Sequence, residues 1–169
     1  MKLFRYSLLS MVVFLSTINS FFLLGLLPSS LKAQETFQPY FASLRYEKVN
    51  LRTGPGMQYM VEWVYQRKLT PVEVINKYKD WLQIRDIEKT TGWVRQDQVT
   101  SARTAITTTV TLLYQDNNVD STTLARIEAG VFVSLEKCVV AFCQIRLKDY
   151  QGWVVRQHLW GIYATETLN

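Results

Sequence analysis

The chain has 169 residues, of which 48% are hydrophobic, and a formal net charge of +5. Three of its nineteen basic residues and none of its acidic ones lie within residues 1–33, which leaves 16 basic against 14 acidic side chains. Beyond Arg67-Lys68 no basic run remains, whereas nucleic-acid binders concentrate Lys and Arg on one face. Nucleic acid is therefore excluded as a partner. The small excess of basic over acidic side chains lies in residues 40–100, so only this part of the chain favours an anionic partner.

The N-terminal residues have the charge order of an export signal. Lys2 and Arg5 precede an apolar stretch from Leu8 to Leu27, and the first acidic residue is Glu35. Cleavage after Ala33 is favoured, which makes residues 1–33 a signal peptide and the protein periplasmic. The stretch is also about as long as a membrane-spanning helix. An uncleaved inner-membrane anchor is the alternative, and only then is the membrane a partner.

The remaining sequence repeats itself at a spacing of about 60 residues. The sequence TGWV at residues 91–94 is answered by QGWV at residues 151–154, and WLQIR at residues 81–85 by FCQIR at residues 142–146. Such self-similarity indicates two copies of one structural unit. We predict a first domain at residues 40–100 and a second at residues 104–163.

Both copies alternate apolar and polar residues over short runs, as in Val72 to Val74 and Cys143 to Arg146. Period-two alternation predicts strands, and Gly, Asn and Asp separate the runs as turns. No sustained helical period follows Ala33, and residues 103–109 form either the connection between the copies or the first strand of the second. The sequence therefore predicts an all-β fold of two small barrels in tandem.

The first copy resembles the bacterial SH3 domain, in particular the tandem SH3-like proteins exported by alphaproteobacteria. The resemblance rests on the sequence VNLRTGPG at residues 49–56, WLQI at residues 81–84 and GWV at residues 92–94. The second copy keeps the GWV ending but has VTLLY at residues 110–114 in place of the first motif. Any role of that motif is therefore carried over to the first copy alone.

The resemblance implies two small SH3-like β-barrels and a function in binding. Members of the family are commonly cell-envelope modules that are assigned to peptidoglycan. We therefore expect a non-enzymatic protein without a cofactor or metal, whose partner is peptidoglycan or its stem peptide. The alternative is an adaptor that docks an envelope enzyme or transporter.

The motif at the start of the first copy contains Gly54, Pro55 and Gly56, which we interpret as a structural turn. Glycine permits positive φ and proline fixes its own φ, so the three residues shape the long loop after the first strand. Arg52 has two interpretations. Its guanidinium either holds this loop by donating to carbonyl groups or contacts a ligand carboxylate.

The aromatic residues divide by position. Trp81, Trp93 and Trp153 fall on predicted strands, where large side chains are expected to fill a small core. Four other aromatic residues lie at or beside the predicted loops of the first copy. Two of these, Trp63 and Tyr65, share a face by the period-two rule. Together with Arg52, the four are the predicted ligand-binding residues: Tyr59, Trp63, Tyr65 and Tyr78. A groove of exposed aromatic rings suits sugars, proline-rich peptide or stem peptide.

Cys138 and Cys143 are the only two cysteines, and they flank a four-residue tip between two predicted strands. In an exported protein this arrangement predicts a disulfide. The pair does not have the Cys-x-x-Cys spacing of redox motifs and lacks partner ligands for a metal.

Two enzyme interpretations are weaker than binding. A hydrolase that uses Cys143 and His158 is disfavoured because the repeat aligns Cys143 with Leu82, a core-facing strand position. A glycosidase needs two separated carboxylates in a cleft. Asp86 and Glu88 are the nearest pair, and they lie in a charged segment that we interpret as a solvated hairpin tip.

Overall fold

The alternating runs form fourteen β-strands in the computed structural model, which describes residues 36–169; the predicted export segment lies outside the described residues. In chain order the strands are β1 Tyr40–Leu44, β2 Val49–Arg52, β3 Val61–Tyr65, β4 Pro71–Tyr78, β5 Trp81–Arg85, β6 Thr91–Arg95, β7 Val99–Thr100, β8 Thr104–Thr107, β9 Thr111–Tyr114, β10 Thr123–Ile127, β11 Phe132–Cys138, β12 Phe142–Leu147, β13 Tyr150–Val155 and β14 Leu159–Trp160. Single turns of 3-10 helix lie at Gln96–Gln98 and Arg156–His158. Within residues 36–169, no helix is long and apolar enough to cross a membrane.

The strands form two antiparallel sheets with the same connectivity. The first has the order β3-β2-β6-β5-β4-β1-β7, and the second has the order β10-β9-β13-β12-β11-β8-β14. The sequence repeat is therefore a repeat of structure, and the prediction of an all-β fold with two SH3-like units is confirmed. Each order has two ends that do not pair with each other, so the sheets are open and not closed barrels.

Each sheet buries its own aliphatic core. Alternation along the strands directs Leu51, Ile84 and Val94 into the first core, and each of them is fully buried. Leu113 and Ile145 are their counterparts in the second core. Such β-branched and leucine side chains pack well on a pleated, half-buried surface, which is why these short runs become strands.

The three strand tryptophans are not core residues, contrary to the prediction. Trp81, Trp93 and Trp153 are half-buried because their neighbours in the alternation, such as Leu82 and Val94, take the inward positions. A leucine from the neighbouring strand packs against the glycine of each GWV motif. A Cβ on Gly92 would lie 2.5 Å from Cγ of Leu51, so this glycine lets the leucine of β2 pack directly on β6.

A short polar and aromatic junction joins the two units. The hydroxyls of Ser43 in β1 and Thr104 in β8 lie 2.6 Å apart, and both residues are buried. The hydroxyl of Tyr163 donates to Oε1 of Glu73 over 2.8 Å. Phe41 packs edge-on against Trp160, with ring centroids 5.2 Å apart. The junction therefore joins side chains from both sheets by satisfied hydrogen bonds and ring contacts.

The predicted disulfide between Cys138 and Cys143 is present. The two residues are cross-strand partners at the end of the β11–β12 hairpin, with Cα atoms 4.1 Å apart. Cys143 and Leu82 are both buried second residues of equivalent strands, as the repeat predicted. Neither cysteine thiol is free.

We expect replacement of both Cys138 and Cys143 by alanine to lower the free energy of unfolding by about 2 kcal/mol, the chain-entropy effect of closing so short a loop. Urea denaturation of the oxidised protein and the double variant measures this difference. Wild-type protein reduced with a thiol is the control, since it loses the bond but keeps both sulfur atoms in the core. Equal stability of oxidised and reduced wild-type protein would contradict the prediction.

Candidate binding site

The loop after β2 is held by the residues of its own motif. Nη1 of Arg52 donates to the carbonyl oxygens of Tyr59, at 2.8 Å, and Met57, at 3.3 Å. The ring of Tyr59 covers Gly54, where a Cβ would lie 2.5 Å from the ring. Neither Gly54 nor Gly56 has a positive φ, so the expected left-handed conformation is not used. Gly54 is needed instead for the close approach of an aromatic ring.

Beside this loop the first unit has a groove of about 250 Å³. Its walls come from the β1–β2 connection, β2 and its loop, the first residue of β5 and the 3-10 turn before β7. The lining residues are Tyr46, Asn50, Arg52, Met57, Trp81, Arg95, Asp97 and Gln98. We call it the loop groove. It combines aromatic and thioether surface with guanidinium groups, a composition suited to a ligand that is part apolar and part anionic.

The two arginines of the loop groove differ in their partners. Nη2 of Arg95 donates to Oδ2 of Asp97 over 2.9 Å, and Nε donates to Oδ1, so this positive charge is compensated locally. Arg52 has carbonyl partners on one nitrogen and forms no ion pair within residues 36–169. The net charge of the groove is therefore positive and resides on Arg52.

The second unit has lost this chemistry at the equivalent positions. Tyr114 occupies the place of Arg52, since the two residues pair with Trp153 and Trp93 of the GWV motifs. Phe142 occupies the place of Trp81, and its ring lies 6.3 Å from that of Tyr114, edge to face. In the second unit, two aromatic side chains in contact with each other therefore stand where the first unit has an arginine and a tryptophan. The loop groove is therefore a property of the first unit.

Trp63 and Tyr65 lie elsewhere, in a second groove of about 260 Å³ between the two sheets. Trp63 is 58% exposed, as predicted, but Tyr65 is only 8% exposed, so its prediction as an exposed residue is wrong. The hydroxyl of Tyr65 donates to Oδ2 of Asp86 over 3.0 Å. Burial, and then the negative charge and hydrogen bond of Asp86, raise the pKa of this tyrosine. The period-two rule did correctly assign Trp63 and Tyr65 to one face.

The remaining predicted residues line neither groove. Tyr59 is 42% exposed and forms part of the loop, while Tyr78 ends β4 with its ring 5.4 Å from Nζ of Lys79. The sequence reasoning missed Tyr46, Trp81 and Arg95. The available signal was the position of Trp81, directly after the β4–β5 turn, where the first residue of a strand faces the loops. Within residues 36–169, no group of three His, Cys, Asp or Glu side chains is arranged to hold a metal ion.

Comparison with known proteins agrees with the motif at residues 49–56 of the first unit. A family model described as the bacterial SH3 domain matches residues 45–100, which include β2 to β7. The first unit is a bacterial SH3 domain. The second unit repeats the strand order of this SH3 domain but lies outside the matched residues. No curated protein sequence matches the chain.

Among solved structures, this chain is similar to NlpC2 and NlpC1 of Trichomonas vaginalis. The identities are 14% and 16%, over 73% and 80% of this chain, and the TM-score is 0.34 for each. The chain spans about half the length of both structures, 48% of the first and 50% of the second.

Proposed function

We propose that the protein is an exported, non-enzymatic binding protein of the cell envelope, and that its loop groove recognises peptidoglycan through the stem peptide. The observation that carries the proposal is the guanidinium of Arg52, which has no ion pair within residues 36–169 and lines the same groove as the half-buried ring of Trp81. A stem peptide offers the complementary groups, because it is short, partly apolar and bears free carboxylates. Arginine binds carboxylates through paired N–H donors in a fixed geometry.

The disulfide supports the proposed location. Disulfides persist in oxidising compartments such as the bacterial periplasm and are rare in the cytosol. Together with the charge order of residues 1–33, the bond between Cys138 and Cys143 favours a periplasmic protein. Retention of the N-terminal segment as an inner-membrane anchor is compatible with the same location.

The side chains available for catalysis support binding in preference to hydrolysis. Cys143 is oxidised, so it offers no thiolate nucleophile to His158. His158 contacts Thr111 through Nδ1 over 2.9 Å. Oδ1 of Asp86 accepts the N–H groups of Glu88 and Thr90, which makes its carboxylate an element of the hairpin turn.

A second candidate function is that of an adaptor for an envelope enzyme or transporter. The junction of Ser43, Thr104, Glu73 and Tyr163 favours it, because it connects the two units by hydrogen bonds between side chains, all of them buried except the half-buried Tyr163. A connection of this kind fixes the spacing between two partner surfaces.

Co-sedimentation of the purified, oxidised protein with isolated peptidoglycan over a salt series tests the proposed function. We expect pelleting, and we expect Trp81→Ala to weaken it about tenfold or more, as for an aromatic residue at the centre of a binding surface. The matched control is Phe142→Ala, the equivalent residue of the second unit, which should pellet like the wild type. Thermal unfolding of both variants checks that they remain folded.

Absence of pelleting at every salt concentration would reject peptidoglycan and favour the adaptor function. Equal loss in Trp81→Ala and Phe142→Ala would mean that the protein binds the wall by another surface.

A further inference from the structure

The groove between the sheets is a composite site that neither unit has alone. Trp63 and Tyr65 of β3 form one wall, and Ile106 of β8 and Phe132 of β11 contribute from the second unit. Asp86 and Glu88 lie at the hairpin turn between β5 and β6, on the same groove. We call it the junction groove.

The junction contacts preform this groove. The hydroxyl of Thr104 donates to the carbonyl oxygen of Leu69 over 2.9 Å and contacts the hydroxyl of Ser43. Leu69 itself has a φ of 61°, in the left-handed region, so the chain enters β4 through a constrained turn. Because these groups are buried and already bonded to each other, a ligand meets walls that need not be ordered first, which reduces the entropic cost of binding.

The charged side chains that line the junction groove are both acidic. Asp86 and Glu88 both carry negative charge, and both add to the raised pKa of Tyr65 after the larger effect of burial. The nearby cation, Arg67, lies with its guanidinium carbon 3.6 Å from the centroid of the Phe132 ring. Phe132 is thereby covered, whereas Trp63 remains 58% exposed. Within residues 36–169, Glu88 forms neither a side-chain hydrogen bond nor an ion pair, so its carboxylate remains available to a ligand.

We propose that the junction groove binds the side chain of a peptide that ends in a primary ammonium group, as lysine does. The exposed indole of Trp63 attracts a cation through its ring face, and the carboxylate of Glu88 accepts hydrogen bonds from the ammonium group. The aliphatic stem of the side chain contacts Ile106 and Tyr65. This site is separate from the loop groove and goes beyond the proposed function.

The size and charge of the groove decide against other ligands. Its volume of about 260 Å³ lies just under the usual range of about 300–1,000 Å³ for small-molecule sites, so it accommodates one long side chain but not an oligosaccharide. An anionic group would approach the carboxylates of Asp86 and Glu88, while Arg67 beside the groove is stacked on Phe132. A purely apolar side chain would gain nothing from Glu88, whose exposed carboxylate would stay hydrated.

Titration of the full protein with three capped tripeptides tests the proposal, with the indole N–H signal of Trp63 in NMR spectra as the readout. The peptides are acetyl-Ala-Lys-Ala-amide, the same peptide with norleucine in place of lysine, and the same peptide with glutamate. We expect the lysine peptide to bind at least about tenfold more tightly than the norleucine peptide, the effect of a charge-assisted hydrogen bond and a cation–π contact. We expect the glutamate peptide to leave the Trp63 signal unchanged.

Variants then assign the effect to the residues of the groove. Glu88→Gln should reduce the preference for lysine over norleucine to less than about threefold, since it keeps the shape but removes the charge. Trp63→Ala should abolish binding of both peptides. Binding to this variant is followed by the backbone amide signals of Glu88 and Ile106, because the indole signal is absent. Trp81→Ala, in the loop groove, is the matched control and should leave the lysine preference unchanged.

Equal binding of the lysine and norleucine peptides by the wild type, or an unchanged preference in Glu88→Gln, would overturn the proposal. No binding of any peptide would overturn it as well. The lysine and norleucine peptides carry no carboxylate for the loop groove to recognise, so failure here leaves peptidoglycan pelleting unaffected, and the two proposals fail separately.

Discussion

A Gly152→Ala variant is expected to lose about 2 kcal/mol of unfolding free energy. A Cβ at this position would lie 2.6 Å from the carbonyl oxygen of Tyr114 and 2.9 Å from Cγ of Leu113. The oxygen belongs to the backbone of β9, so it cannot turn away as a side chain does, and relief requires β9 and β13 to separate. Overpacking of a filled core typically costs about 1–3 kcal/mol, and alanine recovers at most about 1 kcal/mol through its better strand conformation.

Urea denaturation of purified protein measures the loss, and the adjacent, exposed Gln151 provides the control. Gln151→Ala changes the same strand without entering the core and should stay within about 0.5 kcal/mol of the wild type. Gly92→Ala, the twin position, meets mainly the side chain of Leu51 and should be no more destabilising than Gly152→Ala. A Gly152→Ala variant as stable as Gln151→Ala would contradict this account of the GWV motif.

The fold was predictable because its signals are local and repeated. Alternation of apolar residues, as in Leu82 and Ile84, determines which face of a strand is buried, and a second copy with the same pattern removes ambiguity. The tryptophans were misassigned because size alone does not decide burial. In each copy a leucine from the neighbouring strand packs against the glycine of the GWV motif. The two residues are distant in sequence, so the pattern of one strand alone does not predict this contact.

The candidate site was less predictable, because both grooves depend on long-range packing. Arg52 and Trp81 are 29 positions apart, and they line one groove only because β5 and β2 both pair with β6. Trp63 and Phe132 face a common groove through the junction of two units, which the repeat does not specify. Tyr65 illustrates the same limit. Its ring packs in the first core, and its hydroxyl donates to the carboxylate of Asp86 in a different hairpin.

Arg156 holds the chain after β14 by hydrogen bonds. Its substitution is expected to cause the second large loss of stability. The side chain is 5% exposed and donates to three carbonyl groups, those of Tyr163, Ala164 and Val139. Two of these belong to the C-terminal segment, and Leu168 of that segment pairs with the backbone of Cys138. We expect Arg156→Met to lower the unfolding free energy by about 3 kcal/mol, since hydrogen bonds from a charged group contribute about 1.5–3 kcal/mol each and the released carbonyls regain water.

The same substitution should expose the C-terminal segment to proteolysis, because Arg156 is its main attachment to the 3-10 turn. Limited digestion followed by mass spectrometry would then detect cleavage after residue 162 at protease concentrations that leave the wild type intact. Arg126→Met is the matched control, because Arg126 is 62% exposed and its ion pair with Glu128 is solvated. If Arg156→Met and Arg126→Met had equal stability and equal resistance to protease, the segment would be held by its β-bridge and by the ion pair of Arg103 with Glu166 instead.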